Sequence, residues 1–435
     1  MKILILAYEF PPLISIGGLR PYYWSKYWSE NSDDVVVVTR HWSEKVNTPE
    51  DYVRQTNTAT VFEAPQPKLK IIRTPYYPNL RDKLLLKFGF YGASFMRKIL
   101  SLAYSYLEWF FLSFDVKSEI YYGAKKQLDK QSFDLIIATG QPFILFRYAS
   151  LLSAKFNVPW VADYRDGWTS AQGDYVLTGL QKHQHSFFRK MELKTLQSAC
   201  FISTAAPPYK EELQKLFPSK EIEVTYNGFD DTVLAEIADI QPRKDKFVIA
   251  YIGMLYMHQK LETFLQAIKE LLAEGLIQEH EIEIIFYATN AFPDSKKRLL
   301  EFDANVAKVI TTTDRTPYRQ LMAKLKEAHL LLLLSKKKAN WLNTKLFDYF
   351  AVSRPVLLVE NDEGVLNNLI QETDCGFSAN NTQDAKNIIL DLFTQFKKGS
   401  LSNNAIHAKC LNYTRKNQAL LFQNVIHQKI NAERQ

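Results

Sequence analysis

Cysteine is scarce in this chain. Cys200, Cys375 and Cys410 are the only three, they lie far apart, and none forms a CxxC or sits with histidines at zinc spacing. They read as free thiols or small core residues of a cytoplasmic protein, which excludes a disulfide framework and a cysteine metal site. Long apolar runs are missing too. No stretch of about 18 uncharged apolar residues occurs, so no spanning helix is expected. The opening MKILILAYEF starts like a signal peptide, but Glu9 and Pro11-Pro12 interrupt it and no small-residue cleavage site follows, so it reads as a first buried strand. Neither half carries GxGxxG after its first strand, which argues against a nicotinamide dehydrogenase. Lys plus Arg is 54 against Asp plus Glu at 47, a net charge of +7 with no concentrated basic stripe. That modest excess suits phosphorylated small molecules or an anionic membrane surface and does not point to nucleic acid.

What remains is globular. At 435 residues the chain is too long for one ordinary core, and two domains of roughly 150–250 residues each are expected. KILILAY (2–8) and VVVVTR (35–40) are continuous apolar strands of the kind buried inside parallel sheets, joined by the loop EFPPLISIGGLRP and a helical YYWSKYWSE. FDLIIATGQPF (133–143), VPWVADYRDGW (158–168) and ACFISTAAP (199–207) continue the pattern, with helices over 144–156 and PYKEELQKLF. Between residues 43 and 80, IIRTPYYP supplies one further short strand. After EIEVTYNGFDD (221–231) and a polar stretch at 235–246, the pattern restarts with FVIAYIGMLY (247–256). Strands at 281–289, 307–313 and 329–335 and helices at 261–275 and 317–328 follow, then a helix over 383–398. The fold class is α/β: two successive doubly wound domains with a cleft between lobes. The boundaries read as 1–238, 239–400 and a helical tail at 401–435 that returns to the first domain or stands apart.

The segment at about 81–130 is dense in leucines and aromatics, with Arg81, Lys83, Lys87, Arg97 and Lys98 interspersed. It reads either as a helical insertion packed on the first domain or as a surface that dips into anionic lipid headgroups.

Three stretches carry candidate chemistry. Gly17 and Gly18, in the loop after the first strand, let the backbone approach a ligand, and Arg20 adds a cation beside them. Asp163, Arg165 and Asp166 cluster at the carboxyl end of a central strand, where α/β sheets place ligands; a buried ion pair is the plainer alternative. NTKLFDYFAVSRPVLLVE (343–360) reads as a short helix feeding a buried strand. Leu346, Phe347, Phe350 and Ala351 form its apolar stripe, with Lys345, Asp348 and Tyr349 on the other side. Asn343 or Thr344 would cap it. A lysine at a helix start with a carboxylate one turn later suits a phosphate and a sugar hydroxyl side by side.

In their order and spacing, ILAYEFPPLISIGGLRP, PWVADYRDGW, VTYNGFDD, AYIGMLY and TKLFDYFAVSRPVLL resemble the glycosyltransferases of family 4, which have the GT-B architecture of two facing Rossmann-like domains. The resemblance runs from residue 1 to about 376. It implies that Gly17 and Gly18 approach a donor diphosphate and that Asp163 to Asp166 lie near the reacting sugar and acceptor. It further implies that Gly253 opens the loop beside the nucleotide, that Lys345 supports the phosphates and that Asp348 accepts from the ribose. The chain departs from the family at three places. Where the family has two glutamates eight positions apart, this chain has Asn340 and Asp348. Met254 stands where an arginine is frequent, and Lys260 is the candidate to replace its charge. Asp163 and Arg165 occupy a strand end where many members have a histidine.

The implied function is transfer of a sugar from a nucleotide-sugar donor to a hydroxyl acceptor, with retention of anomeric configuration, in bacterial polysaccharide or glycan biosynthesis. Lys345, Thr344, Arg20 and the two glycines would stabilise the departing diphosphate. No cofactor or metal is expected; the chain has no Asp-x-Asp. The expected partners are the donor and a glycan or lipid-linked acceptor, with an anionic membrane as a further contact and no nucleic acid. The expected location is the cytoplasm, including the inner face of the plasma membrane. A nucleotide-sugar epimerase is one rival, with Asp163, Asp166 and His258 as its only acid/base candidates. A non-catalytic nucleotide-sugar binder is the other.

Overall fold

The computed structural model describes residues 1–170, 179–338, 341–401 and 408–433. The chain divides into two units, residues 1–226 with 418–435, and residues 227–417.

The first unit is built on eight strands: β1 (Lys2–Leu6), β2 (Asp34–Arg40), β3 (Val61–Gln66), β4 (Leu69–Thr74), β5 (Leu135–Gly140), β6 (Trp160–Tyr164), β7 (Phe201–Thr204) and β8 (Ile222–Val224). They lie in the order β3-β4-β2-β1-β5-β6-β7-β8. All neighbours are parallel except β3 and β4. Side chains alternate between two cores, because successive residues of a strand point to opposite faces. Leu4, Leu6, Val36, Val38, Ile136 and Ala138 face the helices Ser118–Leu128 and Ile144–Phe156. Ile3, Ile5, Val35, Val37 and Ile137 face the helices Ile16–Asn31 and Arg415–Glu433. Burial on both faces is why these strands read as unbroken apolar runs.

The second unit repeats the plan with six parallel strands: β9 (Phe247–Ile252), β10 (Ile282–Tyr287), β11 (Ile310–Thr312), β12 (Leu330–Leu334), β13 (Val356–Val359) and β14 (Gly376–Ala379). Their order is β11-β10-β9-β12-β13-β14. Phe264, Leu265, Ile268 and Leu271 of the helix Leu261–Ala273 cover one face, together with Ile389, Leu392 and Phe393 of the helix Thr382–Lys397.

Several expectations need correcting. The division falls at Tyr226/Asn227, ahead of residue 238. The helix Thr232–Ile237 goes with the second unit because Val233 and Ile237 are buried there and Glu236 pairs with Arg319. The tail is no separate body. From Gln418 onward it belongs to the first unit, where Phe422 packs on Trp24 and Trp28 and the Trp28 indole donates to the Ala419 carbonyl at 2.7 Å.

Gly17 and Gly18 are not in a loop either. They form the first turn of the helix Ile16–Asn31, whose cap Ser15 accepts from the Gly18 amide at 3.0 Å. The stretch before residue 80 adds an antiparallel edge strand, β3, held where Glu63 takes two hydrogen bonds from Arg73. Tyr349 is not on the outer side of its helix; it is buried, and its hydroxyl donates to the Leu332 carbonyl at 3.0 Å.

Candidate functional site

Each unit gathers charged groups at the carboxyl edge of its sheet, and the two gatherings differ in kind.

In the first unit, Asp163 ends up fully buried on β6. Arg20, one turn into the first helix, reaches it with Nη2 at 2.7 Å and Nε at 3.3 Å. Ser203 donates to the same carboxylate at 2.8 Å, and Arg20 also donates to the Thr225 carbonyl at 2.6 Å. The guanidinium lies 4.8 Å over Trp24. Two charges taken out of water need this degree of mutual satisfaction. The pair ties the helix to β6, β7 and the end of β8. Asp163 and Arg20, expected from the sequence as catalytic and donor-binding, are here a buried, mutually bonded pair.

Arg165 and Asp166, just past β6, are more open. The Arg165 guanidinium donates to Glu9 at 3.2 Å and to Asp166 at 3.4 Å. Glu9 also accepts from Ser15 at 2.8 Å and from Tyr52 at 3.4 Å. Gly17 leaves room for this cluster as it stands. A Cβ there would fall 1.3 Å from Arg165 Nη1 and 2.1 Å from Glu9 Oε2. Gly18 is tight against backbone instead, with a Cβ 3.2 Å from Phe10 atoms. Glu9 and Ser15 escape sequence reasoning, although both lie in the stretch that carries the glycines.

In the second unit, β9 ends in Gly253, whose φ of +81° favours glycine. A Cβ at Gly253 would touch the Lys345 side chain at 3.2 Å. Lys345 opens the helix Lys345–Val352. Its ammonium donates to the Tyr251 hydroxyl at 2.7 Å and to the Met254 carbonyl at 3.3 Å, and lies 4.2 Å over the Tyr251 ring. No carboxylate pairs with it among the described residues. Burial pushes its pKa down to about 7, since desolvation disfavours the charged form and nothing offsets it.

Thr344 sits at the cap position with helical backbone angles and makes no capping bond. Asn343 does the capping, its Oδ1 accepting from the Lys345 amide at 3.2 Å. Among the described residues, Thr289 Oγ1, Asn290 Oδ1, Ser335 Oγ, Trp341 Nε1 and Asn343 Nδ2 are buried without a hydrogen-bond partner. Thr289 and Asn290 follow β10 and Ser335 follows β12, the two neighbours of β9. Buried polar groups are nearly always satisfied, so orphans gathered at one sheet edge call for a ligand. Lys260 is exposed at the start of the helix Leu261–Ala273, its amide donating to the Ser335 carbonyl at 3.0 Å. It makes no ion pair among the described residues.

Asp348, one turn after Lys345, accepts from the Tyr318 hydroxyl at 2.9 Å. Burial raises its pKa, and the Arg415 charge pulls the other way. Asn340 lies outside the described residues. His258 stacks on Tyr256 and meets Trp341 edge-on. Of the three acid/base candidates of the epimerase reading, Asp163 is paired with Arg20. Tyr251, Thr289, Asn290 and Ser335 escape notice in the sequence; lying within or directly after apolar strands, they look like core.

The chain shares its two-unit α/β fold, the GT-B architecture, with solved structures that it matches over nearly the whole length. Sucrose-phosphate synthase from Thermosynechococcus elongatus is 12% identical at a TM-score of 0.63, covering 99% of this chain and 100% of that one. An alpha,alpha-trehalose-phosphate synthase (UDP-forming) from Burkholderia vietnamiensis is 10% identical at 0.61, covering 99% of each. HepE of Anabaena in complex with UDP is 13% identical at 0.57, covering 98% of this chain and 100% of that one. No protein-family model and no curated protein matches the chain.

Proposed function

We propose that this protein is a retaining glycosyltransferase that moves a sugar from a nucleotide-sugar donor to a hydroxyl acceptor. The observation that carries the reading is Lys345: a half-buried cation without a carboxylate among the described residues, at a helix start, against the bare backbone of Gly253. Such a cation is costly alone and favourable beside a phosphate. Expelling a nucleoside diphosphate is the hard part of glycosyl transfer. Lys345 and the first amides of its helix would take up the charge that develops on the leaving group, each such donor contributing on the order of 3 kcal/mol. Their positive charge lets the step run without a metal on this account. Asp348 would accept from the ribose hydroxyls, exchanging its bond from Tyr318. Ser335, Thr289 and Asn290 would complete their hydrogen bonds on the donor. Glu9, Arg165 and Asp166 would meet the acceptor, a glycan or a lipid-linked sugar.

The solved structures similar in fold include complexes of HepE with UDP and with UDP-glucose. We therefore take UDP-sugars as the first donors to try. The test is release of nucleoside diphosphate from a panel of nucleotide sugars, with and without lipid-linked and free glycan acceptors. Acceptor-stimulated release is expected, and Lys345→Ala should lower it at least about tenfold. Interconversion of donor sugars without acceptor would favour an epimerase, and saturable binding without turnover a binder. Wild-type rates in Lys345→Ala would remove the phosphate role.

A further inference from the structure

The segment between β4 and β5 exposes what a globular fold normally hides. The helix Ser94–Leu107 contains no buried residue. Its exposed face is apolar: Phe95 and Ile99 lie one turn apart with Met96 beside them, at 77%, 52% and 55% exposure. Further along the same stripe, toward the end of the helix, Tyr106 packs on Phe187 and Phe188, so the bare part of the face is the first half of the helix. The loop before the helix adds Phe90 and Tyr91, the latter 90% exposed. That loop is held rather than loose, because the Arg97 guanidinium turns back to donate to the Gly92 and Phe90 carbonyls. Phe110 continues the surface just past the helix.

Within residues 80–114 the exposed charge is of one sign, while Glu50 comes near from outside the segment, beside Gly89. Lys83, Lys87 and Lys98 are exposed and make no ion pair among the described residues. The two carboxylates of residues 80–114 are both engaged. Asp82 is buried against Arg81 and Tyr76, and Glu108 is paired with Lys117. A contiguous aromatic and aliphatic face rimmed by free lysines matches the interface of a bilayer that carries anionic headgroups. A second copy of the chain is a poorer occupant. In a two-fold contact, the three exposed lysines of each copy would be brought together against a single nearby carboxylate, Glu50. No helix among the described residues is long and apolar enough to cross a membrane, so the helix would lie in the plane of the surface.

We propose that residues 83–111 form a docking face for an anionic bilayer, with Phe90, Tyr91, Phe95, Met96 and Ile99 inserted among the headgroups and Lys83, Lys87 and Lys98 on phosphates. This inference stands apart from the transfer reaction and needs no substrate to test.

The experiment is flotation of the full chain with vesicles of phosphatidylcholine alone or mixed with phosphatidylglycerol, at low and high salt. Binding is expected on the mixed vesicles, weaker on phosphatidylcholine, and reduced by salt. Phe95→Asp with Ile99→Asp should lower partitioning by about tenfold or more. Lys83→Glu with Lys87→Glu and Lys98→Glu should abolish the preference for anionic vesicles. All five positions are exposed, so circular dichroism and thermal melting should match the parent. A chain that floats with no vesicle overturns the proposal, as does flotation unchanged by both sets of substitutions. Sedimentation showing a dimer that Phe95→Asp turns into monomer, with no flotation, would assign the face to a second copy and also overturn it.

Discussion

Arg20 and Arg165 in the first unit each have a carboxylate within reach, Asp163 for one and Glu9 with Asp166 for the other. Lys345 in the second unit has a phenol, a carbonyl and a ring. The three cations occupy comparable places, near the carboxyl ends of parallel strands, and the sequence presents all three as binding candidates. Their partners separate them. A cation that the fold has already neutralised holds elements together and has little left for a ligand. One left desolvated and uncompensated is a standing cost that an anion relieves. Half-open Arg165 falls between these extremes.

The largest effect should come from breaking the closed pair. Arg20→Ala leaves Asp163 charged in the interior, where the loss of one partner costs about 3–5 kcal/mol. Denaturant unfolding should show that loss as a lower midpoint at unchanged slope. Arg20→Met with Asp163→Leu should recover much of it, because the apolar pair leaves no charge stranded. If Arg20→Ala were as stable as the parent but inactive, the pair would be a ligand site after all, and the contrast with Lys345 would fail.

Lys345 should behave in the opposite sense. Its pKa is lowered from 10.5 to about 7 in the folded chain. Below pH 7 both states hold the proton and the fold carries the full desolvation cost. Between pH 7 and 10.5 the unfolded chain binds more protons, so stability rises with pH, and above 10.5 the cost is gone. Lys345→Met should remove that slope and stabilise the chain at neutral pH by a few kcal/mol at most, because each tenfold loss of proton affinity on folding is worth about 1.4 kcal/mol. A nucleoside diphosphate should flatten the slope in the parent by restoring the charge, and should do nothing in the variant. Unfolding curves at several pH values, with and without the diphosphate, check both statements.

How far this contrast can be read from the chain depends on range. Strands buried on both faces show themselves as runs such as VVVV and LLLLL, so the two parallel sheets are legible, and so is a helix opening on Lys345. The partners are not. Arg20 and Asp163 are 143 positions apart, and no local pattern says that they meet. Tyr251 lies inside an apolar strand, where its hydroxyl looks incidental until Lys345 is placed on it. The edge strand β3 carries Pro65 and alternates weakly, so it reads as loop. Gly17 and Gly18 read as a turn because glycine disfavours helix. The crowding of Arg165 and Glu9 against Gly17, and of the Phe10 backbone against Gly18, overrides that preference.

That crowding gives the smallest and most discriminating prediction. Gly17→Ala puts a methyl where Arg165 Nη1 now lies, 1.3 Å away. The atoms it meets, Arg165 Nη1 and Glu9 Oε2, are the ends of flexible side chains, so both swing aside and the backbone stays. Giving up the partly exposed pair with Glu9 costs about 1 kcal/mol or less. Alanine in place of glycine in a helix returns about the same. Net stability should therefore move by less than about 1 kcal/mol, either way. If Glu9 and Arg165 meet the acceptor, its KM should rise several-fold while the donor KM holds, because only the two side chains at the acceptor have moved. Steady-state kinetics with each substrate varied in turn decides the matter. A rise in both constants would mean that the first helix had shifted as a whole. No change in either would class Arg165 with Arg20, as scaffold, and leave Lys345 alone as the open cation of the three.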